Sequence, residues 1–163
     1  MITKINEYKL YLEQLRVPQF VELDDTVNYK EIDYNEIELI DLGGDDINTA
    51  HLGVQLPHEN KPNKGIVLDI RIINDLYLIN LLIDYNLQNK GLGYKIYKKF
   101  ISDFGHVYSS YDKRVNREEI DSIWKKLQNE NKFETHTSKH GQICILKTNP
   151  DKTQILNNFN ALL

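Results

Sequence analysis

The chain has 163 residues, a mass of 19.2 kDa and a formal charge of -4 from 20 basic and 24 acidic residues. A chain of this length can bury a core as one domain without crosslinks, and its single cysteine excludes an intrachain disulfide. The acidic balance gives no reason to expect nucleic-acid binding, and without a membrane span or signal-peptide core we expect a cytoplasmic protein that makes no membrane contact.

The first 35 residues predict a helix followed by an acidic segment. Apolar residues recur at near-helical spacing over 3–15, and the pattern stops before Pro18. We expect this helix to pack on the domain or on a protein partner, and residues 21–35 to form at most one short strand. The predicted organisation is a single domain 1–163, with a variable region 1–35, a core 36–147 and a C-terminal helix in 148–163.

Four strands are expected before the first helix of the core. Their predicted ranges are 36–42, 51–56, 66–73 and 76–83. The last two are nearly continuous in apolar residues and are joined by Asn74 and Asp75, so we expect a tight turn and strands that are buried on both faces. Helices should then cover both sides of the sheet.

The later elements alternate between helices and strands. A helix should follow Gly93 and end at the left-handed Gly105, and the next strand should run parallel to the strand before the helix. The remaining predictions are strand 106–111, helix 117–127, strands 133–137 and 142–147, and a helix opened by Pro150. The expected fold class is α/β, with a mixed central sheet of about six to seven strands flanked by helices on both faces.

The turn between strand 76–83 and the following helix carries the most informative motif. The first amides of a helix lack intrahelical acceptors, and glycines at 91 and 93 let a phosphate approach them closely. A dinucleotide fingerprint would need glycine where Ile96 stands, and the Gly-Lys-Ser/Thr of a P-loop is absent. The turn therefore predicts a pyrophosphate site, and the alternative is an ordinary strand-to-helix turn.

The six residues Gln88-Asn89-Lys90-Gly91-Leu92-Gly93 resemble the Arg/Gln-x-x-Gly-x-Gly/Ala signature of the GNAT acyltransferase superfamily. The predicted order of elements over 36–147 is also similar to that of GNAT domains. The resemblance implies an N-acetyltransferase that binds acetyl-coenzyme A as co-substrate and transfers its acetyl group to an amine of a small molecule or protein by direct attack.

The resemblance also implies where the cofactor binds. The pyrophosphate would contact amides from Gln88 to Tyr94, and the pantetheine arm would pair with main chain of the preceding strand. The implied cofactor-binding residues are Leu81, Leu82, Ile83, Gln88, Asn89, Lys90, Gly91, Leu92, Gly93, Tyr94 and Asn116. Asn116 has an alternative interpretation as a helix cap alone.

The catalytic positions depart from the family pattern. Many members carry a glutamate on the strand before the signature, but 76–83 contains no acid, which leaves Asp75, Asp69 or a water held by Asn80 as the base. Trp124 replaces the usual tyrosine acid, and an indole is no useful proton donor to a thiolate, so Tyr111 is the substitute candidate. The alternative function is a catalytically silent GNAT-fold protein-interaction module of a phage or regulatory protein.

The acceptor and metal predictions rest on charge and spacing. The acidic first third of the chain favours a cationic amine as acceptor. His136, His140 and Cys144 are four residues apart but fall across a predicted hairpin, so we expect no metal site. Apolar neighbours favour Cys144 as a small buried hydrophobe rather than a nucleophile.

Overall fold

The computed structural model describes residues 17–111 and 117–162, without the side chain of Arg117. This part of the chain is an α/β fold with a mixed seven-stranded sheet and three α-helices. The strands are β1 Glu38–Asp41, β2 Thr49–Gln55, β3 Ile66–Ile73, β4 Leu76–Ile83, β5 His106–Ser110, β6 Phe133–Thr137 and β7 Gly141–Leu146. The helices are α1 Leu92–Phe104, α2 Arg117–Gln128 and α3 Lys152–Asn160.

The strand order in the sheet is β1-β2-β3-β4-β5-β7-β6. β1 pairs antiparallel with β2, and β7 pairs antiparallel with both β5 and β6. β4 and β5, which are joined through α1, pair in parallel. The predicted mixed sheet and the predicted parallel crossover are therefore confirmed.

β3 and β4 have the bounds that their apolar runs predicted. Asn74 and Asp75 between them have φ values of 50° and 61°, which is the left-handed pair that a two-residue hairpin turn needs. Their predicted burial on both faces is wrong in part, because Arg71 of β3 and Asn80 of β4 are exposed. Apolar runs in a strand predict burial on average, but these two polar side chains mark places where one face meets solvent.

The described residues divide into two compact units, which share β3 and β4. The first contains residues 17–70 and 80–92, and the second contains 71–79 and the described residues from 93 onward. Fully buried residues of the first unit are Ile37, Val54, Leu56, Ile66, Val67, Leu68 and Leu87. A core cluster of the second unit comprises Leu76, Tyr108, Ile143, Ile145, Ile155 and Phe159.

Helix α1 follows its predicted pattern. Ile96, Phe100 and Ile101 are completely buried, as the apolar spacing required. The helix ends before Gly105, whose φ of 94° is the expected left-handed stop and whose amide donates to Ile101 O at 2.8 Å. Its first residue is Leu92, which precedes the predicted start after Gly93.

Other boundaries differ from the predictions by a few residues. Residues Tyr29–Glu31 and Tyr34–Glu36 form short 3₁₀-helices, which is consistent with the prediction of at most one short strand over 21–35, and β1 begins at Glu38 rather than at the predicted Glu36. Asp33 explains one of these turns, because its carboxylate accepts the amide of Asn35. α3 begins at Lys152, after the predicted start at Pro150. The predicted helix over 3–15 lies outside the described residues.

In the part of the chain that the structure describes, no helix has the length and apolar character that crossing a bilayer requires.

Candidate functional site

The turn from β4 to α1 is built by local hydrogen bonds. Asp84 follows β4, and a 3₁₀-helix over Tyr85–Leu87 places Leu87 in the core with no exposed surface. The Gln88 amide then donates to Tyr85 O, and its side-chain Nε2 donates to Ile83 O at 3.1 Å. Gln88 thus holds the end of β4 against the start of the turn.

Two left-handed residues reverse the chain before the helix. Asn89 has φ 61° and Gly91 has φ 75°, a region that glycine adopts freely and asparagine tolerates. A Cβ added to Gly91 would meet no atom within 4 Å. Open space therefore lies beside the main chain at Gly91, which is the geometry that the phosphate-binding prediction requires.

The backbone amides of this turn point to an anion site. Among the described residues, the hydrogen bonds outside regular elements include none donated by the amides of 89–93. Leu92 and Gly93 are the first two residues of α1, and no acidic residue stands in its first turn. Unbonded amides at a helix start, together with the positive end of the helix dipole, favour a bound anion by about 1 kcal/mol or more.

The side chain of Tyr94 is engaged within the second unit. Its hydroxyl donates to Glu130, which also accepts from Lys98 Nζ at 2.8 Å. Burial alone would raise the pKa of the Glu130 carboxyl, but these hydrogen bonds from Lys98 and Tyr94 hold it below its usual value. Tyr94 therefore joins the first turn of α1 to the segment after α2, and only its amide is relevant to the predicted pyrophosphate contact.

The other predicted cofactor residues are placed as follows. Leu81, Leu82 and Ile83 are the last three residues of β4 and are half-buried. Lys90 is half-buried within the turn, whereas Gln88, Asn89 and Gly91 are exposed. Asn116 lies outside the described residues.

The two predicted catalytic candidates stand at strand ends. Asp75 is exposed in the β3–β4 turn, at the opposite end of β4 from the turn at 88–93, here called the signature turn. Tyr111 directly follows β5, is half-buried, and donates its amide to His140 O at 3.0 Å. Neither the exposure of Asp75 nor the backbone hydrogen bond of Tyr111 assigns a proton-transfer role to its side chain.

Trp124 is a core residue. It is 1% exposed, and its indole Nε1 has no hydrogen-bond partner among the described residues. Ile123 and Leu127 beside it on α2 are also buried. That Trp124 donates no proton to a thiolate stays a prediction from the chemistry of the indole.

A histidine and an aspartate that no sequence motif joins are in direct contact. His51 of β2 and Asp69 of β3 approach to 2.6 Å between Nδ1 and Oδ1. The residues are 18 positions apart, so no local motif reveals the pair. The only signal in the sequence is that each residue stands between apolar neighbours within its strand, as Arg71 of β3 also does, and the tertiary structure alone shows that the two meet.

Cys144 has the structural role that its neighbours predicted. It lies on β7 with no exposed surface, and burial raises the pKa of its thiol to about 12. Because the thiolate is the reactive form, a nucleophilic role is disfavoured. Within the described ranges, no three His, Cys, Asp or Glu side chains form a group that could hold a metal ion.

Comparison with models of known protein families and with curated proteins finds no match to this chain.

Proposed function

We propose that the protein is an acetyl-coenzyme A-dependent N-acetyltransferase that transfers an acetyl group to an amine by direct attack. The observation that carries the proposal is the turn at 88–93, with its left-handed Asn89 and Gly91, its open space and its unbonded amides. These features fit a pyrophosphate, and they occur in the sequence that resembles the acyltransferase signature.

In the proposed complex, the amides of 89–93 donate to the pyrophosphate and Lys90 contributes a positive charge. The pantetheine arm lies along the main chain of Leu81, Leu82 and Ile83 and adds to β4 in the manner of a strand. Gln88 has a positioning role, because its side chain holds Ile83 O at the point where the strand passes into the turn.

The packing of the helices against β4 supports the proposed GNAT fold. Tyr77 of β4 contacts the rings of Phe100 and Phe104 in α1, whereas Leu76 and Leu78 pack with residues of α3. Successive strand residues point to opposite faces, so we infer that α1 and α3 cover opposite faces of the sheet. This is the arrangement that the sequence predicted for both faces.

The reaction requires an amine nitrogen beside the thioester carbonyl. Bound acetyl-coenzyme A supplies the acetyl group and a thiolate leaving group. The protein orients the two reactants, which by itself contributes a large part of such a rate enhancement. Trp124 supplies no proton, so we expect the leaving thiolate to receive its proton from the attacking amine or from water.

The decisive variant is Gly91→Glu. It places a carboxylate in the open space where the pyrophosphate would lie, so acetyl-coenzyme A should bind at least about 100-fold more weakly, a change of roughly 2.7 kcal/mol. Calorimetric titration of wild type and variant measures this change. Gly43→Glu is the matched control, because Gly43 is also exposed and also has a positive φ, 87°.

The wild type should bind with a micromolar dissociation constant, and Gly43→Glu should retain that affinity. Equal affinity of wild type and Gly91→Glu for acetyl-coenzyme A would show that the cofactor does not bind at this turn. No detectable binding by folded wild type would overturn the enzyme proposal.

The second candidate is the catalytically silent interaction module. Burial of Trp124 favours it, because the position of the usual acid is used for the core. The titration separates the two candidates, because a silent module that binds no cofactor should give no heat of binding when acetyl-coenzyme A is added. Binding without acetyl transfer to any amine would favour a module that keeps the cofactor only as a structural ligand.

A further inference from the structure

The first unit contains a carboxylate that is held by a histidine. Asp69 Oδ1 lies 2.6 Å from His51 Nδ1, a short hydrogen bond to a charged carboxylate. The Asp69 side chain is 36% exposed, whereas the His51 side chain is 15% exposed. The imidazole is therefore the buried partner, and the carboxylate is the one that solvent or a substrate can reach.

The ring of His51 is held from its other side as well. Its Nε2 lies 3.4 Å from Asp45 Oδ2. The loop that carries Asp45 is ordered by Thr49, whose Oγ1 accepts the amides of Asp45 and Asp46 at 2.9 and 3.0 Å. Asp69 and Asp45 are the charged groups that the described chain places against the ring, and together they fix its orientation. Asp69 Oδ2 has no hydrogen-bond partner among the described residues.

The strand register places Asp69 beside Asn80. The two-residue turn at 74–75 makes Ile73 and Leu76 the closing pair of the hairpin. Counting back along both strands from that pair places Asp69 opposite Asn80. The Asp84 amide donates to Gly65 O at 2.7 Å, which gives the same register at the other end of the β3–β4 hairpin. Directly opposed residues share a face, with Cβ atoms about 5 Å apart. Asn80 is exposed, so this face is open there.

Asn80 directly precedes the proposed main-chain site of the pantetheine arm. With the pyrophosphate at the turn after β4, the arm runs from Ile83 back toward Leu81. Three strand residues span about 10 Å. The thioester end is thereby directed to Asn80, one strand spacing from Asp69.

We propose that the Asp69 carboxylate binds the ammonium group of the acceptor, a primary amine that is cationic at neutral pH, and takes its proton. This inference rests on the proposed function. His51 is a positioning residue, because it binds the oxygen of Asp69 that faces away from the acceptor.

One N–H proton of the ammonium passes to Asp69, and the freed lone pair forms the N–C bond with the thioester carbon. The C–S bond breaks and its electron pair leaves on sulfur. A second nitrogen proton ends on that thiolate, and the products are the N-acetyl amine and free coenzyme A.

The test measures acetyl-coenzyme A binding and amine acetylation separately, with spermidine, an aminoglycoside and a peptide with a free N-terminus as acceptors. Asp69→Asn keeps the shape of the side chain but removes its charge and basicity. We expect kcat/KM for the amine to fall at least about 100-fold, as for loss of a general base, while Kd for acetyl-coenzyme A stays within about twofold. Unchanged cofactor binding also shows that the variant is folded.

Two further variants separate catalysis from structure. His51→Gln should lower kcat/KM roughly tenfold, as expected for loss of one charge-assisted hydrogen bond, and its effect should not add fully to that of Asp69→Asn. Added formate should restore part of the activity of Asp69→Ala, which a purely structural role would not allow. Asp25→Asn is the matched control, since Asp25 is exposed in the same unit, and it should behave as wild type.

The failures are distinguishable. If wild type binds the cofactor and acetylates an amine but Asp69→Asn is equally active, this inference is overturned and the proposed function stands. If wild type binds the cofactor and acetylates none of the three acceptors, the inference is also overturned. Absence of cofactor binding by wild type overturns both.

Discussion

His106, the first residue of β5, is a buried histidine with one unpaired nitrogen. It is 3% exposed, and its ring stacks on that of Tyr77 at a centroid distance of 4.7 Å. Nε2 accepts the Tyr77 amide at 3.2 Å, and Nδ1 has no partner among the described residues. Because Nε2 accepts, the proton of the neutral ring is on Nδ1. Burial lowers the pKa of this imidazole from 6.5 to about 4.

The low pKa of His106 predicts acid sensitivity. The unfolded chain binds the proton near pH 6.5 and the folded chain near pH 4, so stability that is present at neutral pH is lost as the pH falls through this window. The loss from this group approaches about 3 kcal/mol below pH 4. Urea unfolding at several pH values measures it.

His106→Gln should remove this part of the pH dependence, because a glutamine oxygen can still accept the Tyr77 amide but does not titrate. The control is His58→Gln, since His58 is exposed and should keep the wild-type slope. A slope that persists unchanged in His106→Gln would assign the acid sensitivity to other groups.

At the scale of elements, the junction between α1 and β5 depends on Gly105. Its φ is 94°, and its carbonyl accepts the Leu146 amide at 2.9 Å, so the helix stop is tied to β7. A Cβ at this position would lie 2.4 Å from the side-chain nitrogen of Asn149. Local backbone conformation and packing therefore both select glycine.

Gly105→Ala should lower the free energy of unfolding by about 2 kcal/mol. The left-handed conformation accounts for about 1 kcal/mol or more, and displacement of the Asn149 side chain adds the rest. Gly91→Ala is the matched comparison, because Gly91 also has a positive φ but open space at its Cβ. Denaturant unfolding measures both variants.

We expect Gly91→Ala to lose only the conformational part. Combining Asn149→Ala with Gly105→Ala should recover the part of the unfolding free energy that is lost to the clash with the Asn149 side chain. Equal losses in the two single variants would show that the contact with Asn149 costs nothing.

At the scale of the whole molecule, the proposed cofactor should stabilise the fold. A ligand that binds only the folded chain at 100 times its Kd adds about 2.7 kcal/mol. For a chain of this size, each kcal/mol raises Tm by roughly 2–4 °C. Saturating acetyl-coenzyme A should therefore raise Tm of wild type by about 5–10 °C in a thermal melt, and should leave Gly91→Glu unchanged. An equal shift in both proteins would indicate binding elsewhere.

The architecture could be predicted from local pattern to a large extent. β3 and β4 have their predicted bounds. Each is an apolar run of eight residues, and a two-residue turn separates them, so residues close together in the chain are enough to define both strands. The segment 29–36 was less predictable. One of its two 3₁₀-helices, Tyr34–Glu36, has a side-chain cap from Asp33, and such a cap competes with strand formation over only a few residues.

The candidate site divides in the same way. The signature turn is contiguous, so Gly91 and Gly93 identify it in the sequence, and the structure adds the left-handed Asn89. The proposed base, Asp69, was one of several alternatives in the sequence, because its contact with His51 joins it to another strand. Asp75 looked equally suitable in the sequence, although it stands at the opposite end of β4.

The sequence by itself determined the alternation of strands and helices, the hairpin turn at 74–75, the left-handed stop at Gly105 and the position of the glycine-rich turn. Each of these depends on the preferences of residues close together in the chain. Only the tertiary structure decided that His51 meets Asp69, that Tyr94 and Lys98 share Glu130, and that His106 is buried without a partner for one nitrogen. These contacts join residues 18 to 36 positions apart or depend on burial, and both are determined by strand register and packing rather than by local pattern.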